Sequence, residues 1–423
     1  MKVLLIGGGG REHALAWKLS SSRLVSKLYA APGNPGIAQY AQCVPSLSVM
    51  DFPGIEKFVR EKKIELVVIG PEDPLAGGLA DLLLAAGVKV FGPTKDAARL
   101  EADKWFAKEL MRHQSVPTAE AKVFTDYATA EEYVQHRDRA CVVKATGLAA
   151  GKGVSVCYRT QDALEALDRI MKQKAFGAAG DRVVIEELLT GPECSLLAFI
   201  DRKNIYIMET AQDHKPVDVG DTGAMTGGMG AYSPTPVVTE AMLRNIERDI
   251  IVPVIDGLWR HGIDYRGVLY VGLMITPNGP KVLEFNCRFG DPETQPLMMR
   301  LKTDLAEVML AVCDGKLDEI DLKWDTRPAI SIVAASKGYP GIYPKGLPIT
   351  GIADADAMSD VKVFQAGTAL KEGKLVTAGG RVLAVTALGL NIREARDRAY
   401  QAMSKIQFEG MHFRTDIGYQ ALR

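Results

Sequence analysis

The first hundred residues alternate short apolar runs with segments of helical periodicity. Unbroken runs rich in Val, Leu, Ile and Ala predict buried β-strands, whereas apolar residues three or four positions apart predict amphipathic helices. Strands are predicted at 2–6, 28–30, 66–69 and 88–91, and helices at 11–19, 55–61 and 79–86. Strands that alternate with helices form a parallel sheet, which binds ligands at the carboxyl ends of its strands. The pattern therefore predicts a Rossmann-like N-terminal α/β domain over residues 1–101.

The pattern changes twice after this domain. Residues 102–323 carry longer, mixed elements typical of an α+β domain, including a hairpin around Pro277-Asn278-Gly279. Its helices are predicted at 104–111, 162–172, 239–259 and 304–313, and its strands at 141–145, 154–158, 183–187, 269–275 and 281–286. Beyond that region, short strands at 329–334, 361–365 and 382–387 precede a helix at 392–406. This predicts a small C-terminal α+β domain over residues 324–423.

Composition excludes several classes of protein. A chain of 423 residues is too long for one ordinary core, so roughly two to four domains are expected. The 51 basic and 52 acidic residues give a net charge of −1, which offers no electrostatic basis for binding nucleic acid or an anionic membrane. Six scattered cysteines without a C-x-x-C pair are typical of reduced thiols in the cytoplasm. The N-terminal apolar run is too short for a signal peptide, and no run approaches the ~18 apolar residues of a transmembrane helix.

Two oxygen-bearing side chains share one face of the predicted strand 281–286. Glu284 and Asn286 are two positions apart, and side chains alternate between the faces of a strand. A carboxylate and an amide oxygen on rigid backbone suit a hard cation such as Mg²⁺. Arg288 follows in register, and a guanidinium beside a metal suits phosphoryl transfer. The alternative is a strand with a polar solvent face, which the Glu-x-Asn pair taken alone favours.

The glycine run at 7–10 lies between a predicted strand and a predicted helix. It does not fit the dinucleotide-binding spacing G-x-G-x-x-G, because the third glycine position falls on Glu12 or on His13. The second strand also ends without an acidic residue for a ribose. A monophosphate at the helix N-terminus is consistent with the run, since free backbone N–H groups and the helix dipole favour an anion. A tight turn without a ligand is an equally good interpretation.

A second glycine-rich run lies between the predicted strands 141–145 and 154–158. It is not a Walker A loop, because Gly147 and Gly151 are too close together and Gly153 replaces the hydroxyl residue. Small residues let backbone N–H groups approach phosphate oxygens, so the run is interpreted as a flexible flap. Lys144 interrupts an apolar strand and needs a partner for its ammonium, which ATP phosphates would provide. A lysine reaching solvent at a strand edge is the alternative.

The order of these features resembles the ATP-grasp fold, in which two α+β subdomains close on ATP. The resemblance implies a flap subdomain at about 118–190 and a bound Mg²⁺ or Mn²⁺ on Glu284 and Asn286. It also implies that two lysines contact the phosphates, that backbone groups contact the adenine edge, and that Glu193 holds the ribose hydroxyls. The nucleotide-binding residues implied are Lys104, Lys144, Gly151, Lys152, Gly153, Glu186, Glu187, Leu188, Leu189 and Glu193.

Seven strings extend a more specific resemblance over nearly the whole chain. They are GGGGREHA from Gly7, PGNPG from Pro32, GPEDPL from Gly70, KATGLAAGKGV from Lys144, QDHK from Gln212, TGGMGAYSP from Thr226 and RFGDPETQ from Arg288. Together they resemble the glycinamide ribonucleotide synthetase family. The chain departs from the usual family pattern at Ala224-Met225, where Pro-Asn is usual, at Pro216, where Arg is usual, and at Cys287, where Ala is usual.

The resemblance implies an ATP-dependent ligase that joins glycine to 5-phosphoribosylamine through a glycyl phosphate, in purine biosynthesis. It implies catalytic roles for Arg288, Lys215 and Asp213. The residues implied in substrate binding are Gly8, Gly9, Gly10, Glu12, Asn34, Gly228 and Asp291. The expected partners are small molecules only, with neither nucleic acid nor membrane, and the expected state is a cytoplasmic monomer.

Three other functions are weighed against this one. Another ATP-grasp ligase or carboxylase would depend on bicarbonate in place of glycine. A nicotinamide-dependent oxidoreductase is suggested only by the first glycine run, and the failed spacing argues against it. A catalytically inactive nucleotide-binding regulator would lack some of the lysines, the metal pair or Arg288, and all of these are present.

Overall fold

The computed structural model describes residues 1–149 and 153–422, and its N-terminal part is a layered α/β unit. The strands are β1 Lys2–Gly7, β2 Lys27–Pro32, β3 Gln42–Cys43, β4 Leu66–Ile69 and β5 Lys89–Phe91. The helices are α1 Gly10–Ser20, α2 Phe52–Lys62, α3 Glu72–Gly77, α4 Leu79–Ala85 and α5 Lys95–Ala102. All five strands are parallel, in the order β3-β2-β1-β4-β5, and helices bury both faces of the sheet. This confirms the predicted Rossmann-like sheet.

The next region is a four-stranded antiparallel sheet with helices. Its elements are α6 Lys104–His113, β6 Ala121–Phe124, α7 Tyr127–Arg137, β7 Cys141–Ala145, β8 Val154–Cys157, α8 Thr160–Leu167 and β9 Val183–Glu187. The strand order is β6-β9-β7-β8, so the two strands that flank the glycine-rich run pair directly. Helix α8 continues as a π-helical turn over Asp168–Lys172. We call this unit the flap sheet.

The central region carries a second antiparallel sheet and a long helix. Its strands are β10 Glu193–Asp201, β11 Ile205–Ile207, β12 Gln212–Asp213, β13 Pro216–Asp218, β14 Thr222–Met225, β15 Gly230–Ser233, β16 Arg266–Thr276 and β17 Gly279–Asn286. Its helices are α9 Glu240–Ile246 and α10 Val252–Arg260, joined by a π-helical turn at Glu247–Ile251, then α11 Thr294–Arg300 and α12 Leu305–Asp314. The main sheet has the order β11-β10-β16-β17, and the predicted hairpin is its β16–β17 pair. We call this unit the central sheet.

The C-terminal region forms a separate hydrophobic core. Its elements are β18 Ala329–Ala335, α13 Ile352–Asp356, β19 Val361–Gln365, β20 Thr368–Lys371, β21 Lys374–Thr377, β22 Arg381–Leu388 and α14 Ile392–Met403. The sheet order is β12-β15-β18-β22-β19, so two short strands of the central region extend it. Strands β13 and β14 form a separate hairpin beside it. The loop that carries Asp213 and Lys215 is therefore anchored in the C-terminal sheet.

Contacts between these units position one cleft. The flap sheet meets the central sheet where Thr118 bridges Val282 and where the Lys144 ammonium donates to the Leu283 carbonyl at 3.2 Å. The N-terminal sheet meets the end of β17 through Arg11 and Glu72. Among the described residues, no helix has the length and apolar character needed to cross a membrane.

Candidate active site

A cavity of about 470 Å³ lies between the flap sheet, the central sheet and the ends of the other two units. Most of the predicted site residues line it, although they come from positions 104 to 291 of the chain. They are Lys104, Lys144, Gly153, Glu186, Glu187, Leu188, Leu189, Glu193, Asp213, Lys215, Glu284, Asn286, Arg288 and Asp291. The structure therefore brings together the predicted nucleotide, metal and catalytic residues. Gly151 and Lys152 lie outside the described residues.

One end of the cavity is a slot with apolar walls. Val142 and Val156 of the flap sheet face Met274 and Leu283 of the central sheet across it. The backbone N–H groups of Leu188 and Leu189, which follow β9 at the rim of this slot, donate to no other residue in the described part of the chain. An apolar slot edged by free backbone groups suits a flat heteroaromatic ring with polar edges.

Buried charges surround the slot where it widens. The Lys144 ammonium lies 2.8 Å from the Glu186 carboxylate, and both side chains are less than a tenth exposed. Burial opposes ionisation of Glu186, but the charges of Lys144 and Lys108 outweigh it and lower the pKa of this carboxyl group. The need for a partner that the sequence predicted for Lys144 is thus met in part by Glu186. Its contacts with described residues leave one of the three N–H donors of Lys144 unused.

Glu193 and Lys104 present unpaired charges to the cavity. Within the described chain, the Glu193 carboxylate accepts no hydrogen bond and forms no ion pair, and burial raises its pKa to about 7. Among the residues that the structure describes, the Lys104 ammonium has one long contact, 3.4 Å to the Gly147 carbonyl, and burial lowers its pKa. Buried groups of this kind are costly without a ligand, so they mark a binding site.

Glu284 and Asn286 point into the same cavity from β17, as their spacing predicts. In the described chain, the Glu284 carboxylate has no hydrogen-bond or ion-pair partner. Although burial acts against it, the charges of Lys215, Lys144 and Lys104 lower the pKa of Glu284, so the group is anionic. The described residues include no cluster of three His, Cys, Asp or Glu that could hold a metal alone. An anionic carboxylate with an amide oxygen suits Mg²⁺, which is usually bound by one or two carboxylates together with substrate phosphates.

Arg288 lies at the centre of a buried ion-pair network. Its Nη2 is 2.8 Å from the Glu101 carboxylate and donates to the Asn286 Oδ1 at 3.1 Å, while its Nε is 3.1 Å from Glu72. Arg11 contacts the same Glu72 carboxylate at 3.1 Å. Burial opposes the charge of Glu72, but the two arginines lower its pKa to about 2. Arg288 is thus held rigidly, and its contacts within the described residues leave one Nη1 N–H for a ligand.

Asp213 and Lys215 form an ion pair beside Glu284, with 2.8 Å between carboxylate and ammonium. The backbone of His214, which lies between them, hydrogen-bonds to Gly230 and Met229 and keeps this short segment extended. Side chains alternate along extended backbone, so Asp213 and Lys215 point to the same face. Burial opposes the charge of Lys215, but Asp213 and its other acidic neighbours raise its pKa well above the ordinary value. The pair places a fixed cation next to the predicted metal position.

The N-terminal glycine turn lies beside the cavity rather than in its wall. The Glu12 carboxylate turns inward and accepts from the Gly9 N–H at 2.6 Å, which caps α1. The Asn34 amide donates to the Gly8 and Gln365 carbonyls at 2.9 Å. These contacts hold the turn in place, and direct contact of the six residues Gly8, Gly9, Gly10, Glu12, Asn34 and Gly228 with substrate stays a prediction.

Asp291 and Gly228 meet at the C-terminal side of the cleft. Gly228 has a φ of +116°, and a Cβ there would lie 2.5 Å from the Pro292 ring, so only glycine fits. Arg381 of β22 donates to the Gly227 carbonyl at 2.7 Å and pairs with the Asp291 carboxylate at 3.0 Å. The C-terminal region therefore closes the cavity by tying these two loops together.

Several cavity residues were not predicted from the sequence as site residues. They are Arg11, Glu72, Glu101, Lys108, Tyr270, Glu293, Tyr339 and Arg381. Glu293 accepts from Ser195 and Tyr270 at 3.0 Å, and burial raises its pKa. Arg11, Glu72 and Glu293 stand inside strings that resemble the family, which is a signal that could have identified them. Arg381 carries no such signal.

Comparison with known proteins agrees with this geometry. Residues 1–101, 102–294 and 329–420 match the models of the N domain, the ATP-grasp (A) domain and the C domain of phosphoribosylglycinamide synthetase. The phosphoribosylamine–glycine ligase of Rhodopirellula baltica is 52% identical over 99% of this chain and 98% of its own length. That of Haemophilus influenzae is 50% identical over 100% and 99%.

Solved structures give the same result. The phosphoribosylamine–glycine ligase of Thermotoga maritima superposes with a TM-score of 0.86 at 31% identity, covering 98% of this chain and 100% of that one. A biotin carboxylase from Campylobacter jejuni in complex with β-γ-ATP has a TM-score of 0.74 at 16% identity, covering 100% and 94%, which shows a shared fold. Models that span nearly the whole chain and full-length relatives at about half identity show that this chain belongs to the phosphoribosylglycinamide synthetase family.

Proposed function

We propose that the protein ligates glycine to 5-phosphoribosylamine, forming glycinamide ribonucleotide, ADP and phosphate. The observation that carries the proposal is a cavity that joins an apolar slot, two lysines, a carboxylate–amide pair and a buried arginine network. Its relatives at about half identity over their full length are phosphoribosylamine–glycine ligases. The step belongs to purine biosynthesis, and a cytoplasmic monomer stays a prediction.

The chemistry needs positioning rather than an enzyme nucleophile. A carboxylate is a poor electrophile, so glycine is first phosphorylated by ATP, and the sugar amine then attacks the carbonyl of the glycyl phosphate. Fixed positive groups stabilise the charge that develops on the transferring phosphoryl group. In this cavity Lys104, Lys144 and Lys215 supply such charge, and Arg288 offers its remaining N–H to the glycine carboxylate or the phosphoryl oxygens. A closed flap keeps water from the acyl phosphate.

Glu284 and Asn286 would hold Mg²⁺ or Mn²⁺ together with phosphate oxygens of the nucleotide. The ion would neutralise phosphate charge and orient the γ-phosphoryl group. Glu284 suits this role because it is anionic, faces the cavity and has no hydrogen-bond or ion-pair partner within the described residues. The choice between the two ions depends on geometry that one carboxylate and one amide do not fix.

The proposed function is tested by ADP release with Mg-ATP, glycine and freshly generated phosphoribosylamine, leaving out one component at a time. We expect ADP formation only when all three are present. ADP formation that requires bicarbonate instead of glycine would indicate a carboxylase. A protein that binds ATP but releases no ADP under any of these conditions would be a regulator, and the ligase proposal would be wrong.

ATP affinity is expected to depend on pH through Glu193. The nucleotide-free carboxyl group has a pKa near 7, and it accepts ribose hydroxyls as a carboxylate. Below pH 7 binding must first remove a proton, so we expect affinity ~10-fold weaker at pH 6 than at pH 8. The raised pKa also means that Glu193 favours folding below about pH 4.5, and this contribution is lost as the pH rises through 7.

Calorimetric titration of Mg-ATP between pH 6 and pH 8 checks this expectation. The Glu193→Gln variant is the matched control, because it keeps the shape of the side chain and cannot titrate. The change of ATP affinity with pH that remains in this variant reports the protonation of the nucleotide and of all other groups. If ATP affinity changes equally with pH in the parent and in the variant, Glu193 does not belong to the nucleotide site.

A further inference from the structure

A second buried lysine stands behind the pair formed by Lys144 and Glu186. The Lys108 ammonium lies 3.0 Å from the other oxygen of the Glu186 carboxylate, and its side chain is 9% exposed. It also donates to the Thr118 hydroxyl at 2.8 Å and to the Ala119 carbonyl at 3.2 Å. All three of its donors are therefore used by the protein, and none is left for a ligand.

We propose that Lys108 is a positioning residue for the nucleotide. It holds the Glu186 carboxylate in place beside the slot when the Lys144 ammonium contacts the phosphates. The inference rests on the proposed function insofar as that function requires ATP in this cavity. Lys104 and Lys108 are four residues apart on α6, so they occupy one face of the helix. In the described part of the chain, the Lys104 ammonium has only a long contact to the Gly147 carbonyl, whereas Lys108 is fully engaged.

The physical reason is competition for one ammonium. Glu186 and a triphosphate are both anionic, and Lys144 is within reach of both. A carboxylate that loses its only cation in a buried site either takes up a proton or moves. With Lys108 in place, Glu186 stays paired after Lys144 shares its charge. The lining of the slot, including the free backbone groups beyond β9, then keeps its geometry.

A purely structural role for Lys108 would give a different result. Its contacts to Thr118 and Ala119 tie α6 to the segment that enters the flap sheet, so its loss also lowers stability. A structural role predicts equal loss of affinity for any ligand of the cavity. The positioning role predicts a clearly larger loss for ligands that also occupy the slot next to Glu186 than for ligands that contact Lys144 through phosphates alone.

The test compares binding of ATP and inorganic tripolyphosphate to Lys108→Met by calorimetry. Tripolyphosphate offers the same chain of phosphates without a base. We expect ATP affinity to fall roughly 10- to 100-fold, as for removal of one partner of a buried charge pair. Tripolyphosphate affinity should fall less, because this ligand competes with Glu186 for Lys144 but does not use the slot. Lys18→Met is the matched control, because Lys18 is a partly buried lysine on α1 whose ammonium contacts the Leu301 carbonyl, and neither residue lines the cavity.

A double-mutant cycle with Glu186→Gln completes the test. If Lys108 acts through Glu186, removing Lys108 in the glutamine background has little further effect on ATP affinity. An equal loss for both ligands, or an undiminished loss in the glutamine background, would overturn the proposal. Lys108→Gln, which keeps a donor without the charge, replaces the methionine variant if that variant does not fold. Binding is measured directly, so failure of the ligase assay leaves this result unaffected.

Discussion

Replacing Glu284 with glutamine is expected to lower turnover by ~100-fold or more, the scale seen when one preorganised charge-stabilising group is removed. The side chain keeps its shape, faces the cavity and has no hydrogen-bond or ion-pair partner in the described chain, so the fold should not change. Only the negative charge is lost, among Lys215, Lys144 and Lys104. Turnover should recover in part at high Mg²⁺ if the metal is held more weakly, which a titration of rate against Mg²⁺ would measure.

The control is Glu187→Gln, a carboxylate in the same cavity wall whose implied contact with the nucleotide is made by the backbone and not by the side chain. Its carboxylate pairs with Lys281 at 2.8 Å and accepts from the Glu120 N–H, so it is already engaged by the protein. Turnover within about twofold of the parent is expected for this variant, in line with the small worth of half-exposed ion pairs. A near-normal rate for Glu284→Gln would remove that residue from the metal site.

The elements that sequence patterns predicted best are those with one clear period or a specific turn. The parallel strands of the N-terminal sheet and the β16–β17 hairpin are examples. Strand β10, Glu193–Asp201, was not predicted, although it is a central strand of its sheet. It is buried on both faces, so its apolar run has no alternation, and such a run is hard to distinguish from a buried helical segment.

The same contrast holds for the site. Glu284 and Asn286 could be paired from the sequence because strand geometry fixes their common face. The partners of Arg288 could not, because Glu72 and Glu101 come from the N-terminal sheet region and meet the arginine only after the units pack together. Local periodicity carries no information on such contacts. Lys108 was missed for the same reason, since its partner Glu186 lies in another element.

The departures from the family pattern at Pro216 and at Ala224-Met225 lie on the β13–β14 hairpin. The Pro216 carbonyl accepts from the fully buried Arg414, and the same guanidinium pairs with Asp221 at 2.7 Å. Met225 lines the cavity. The C-terminal segment therefore holds this hairpin through backbone groups and through Asp221, neither of which depends on the residue type at 216 or 224. These substitutions are compatible with the hairpin geometry.

Arg288→Lys is expected to lower turnover more than ATP affinity, since a lysine cannot reproduce the planar fork that Arg288 presents. The structure adds a second expectation. Lysine has three donors in place of five, so it cannot keep the contacts with Glu101, Glu72, Asn286 and the Phe289 carbonyl and also bind a ligand. Glu101 is buried, and burial already raises its pKa, so leaving it unpaired should also destabilise the protein.

The double variant Arg288→Lys with Glu101→Gln separates these two effects. Removing the buried carboxylate should restore part of the thermal stability, because no unpaired charge is then left behind. Turnover should stay low in the double variant if Arg288 touches the glycine carboxylate or the transferring phosphoryl group. Recovery of turnover together with stability would show instead that Arg288 acts only by holding Glu101 and Glu72 in place. To distinguish these outcomes, kcat, the ATP dissociation constant and the melting temperature are measured for each variant.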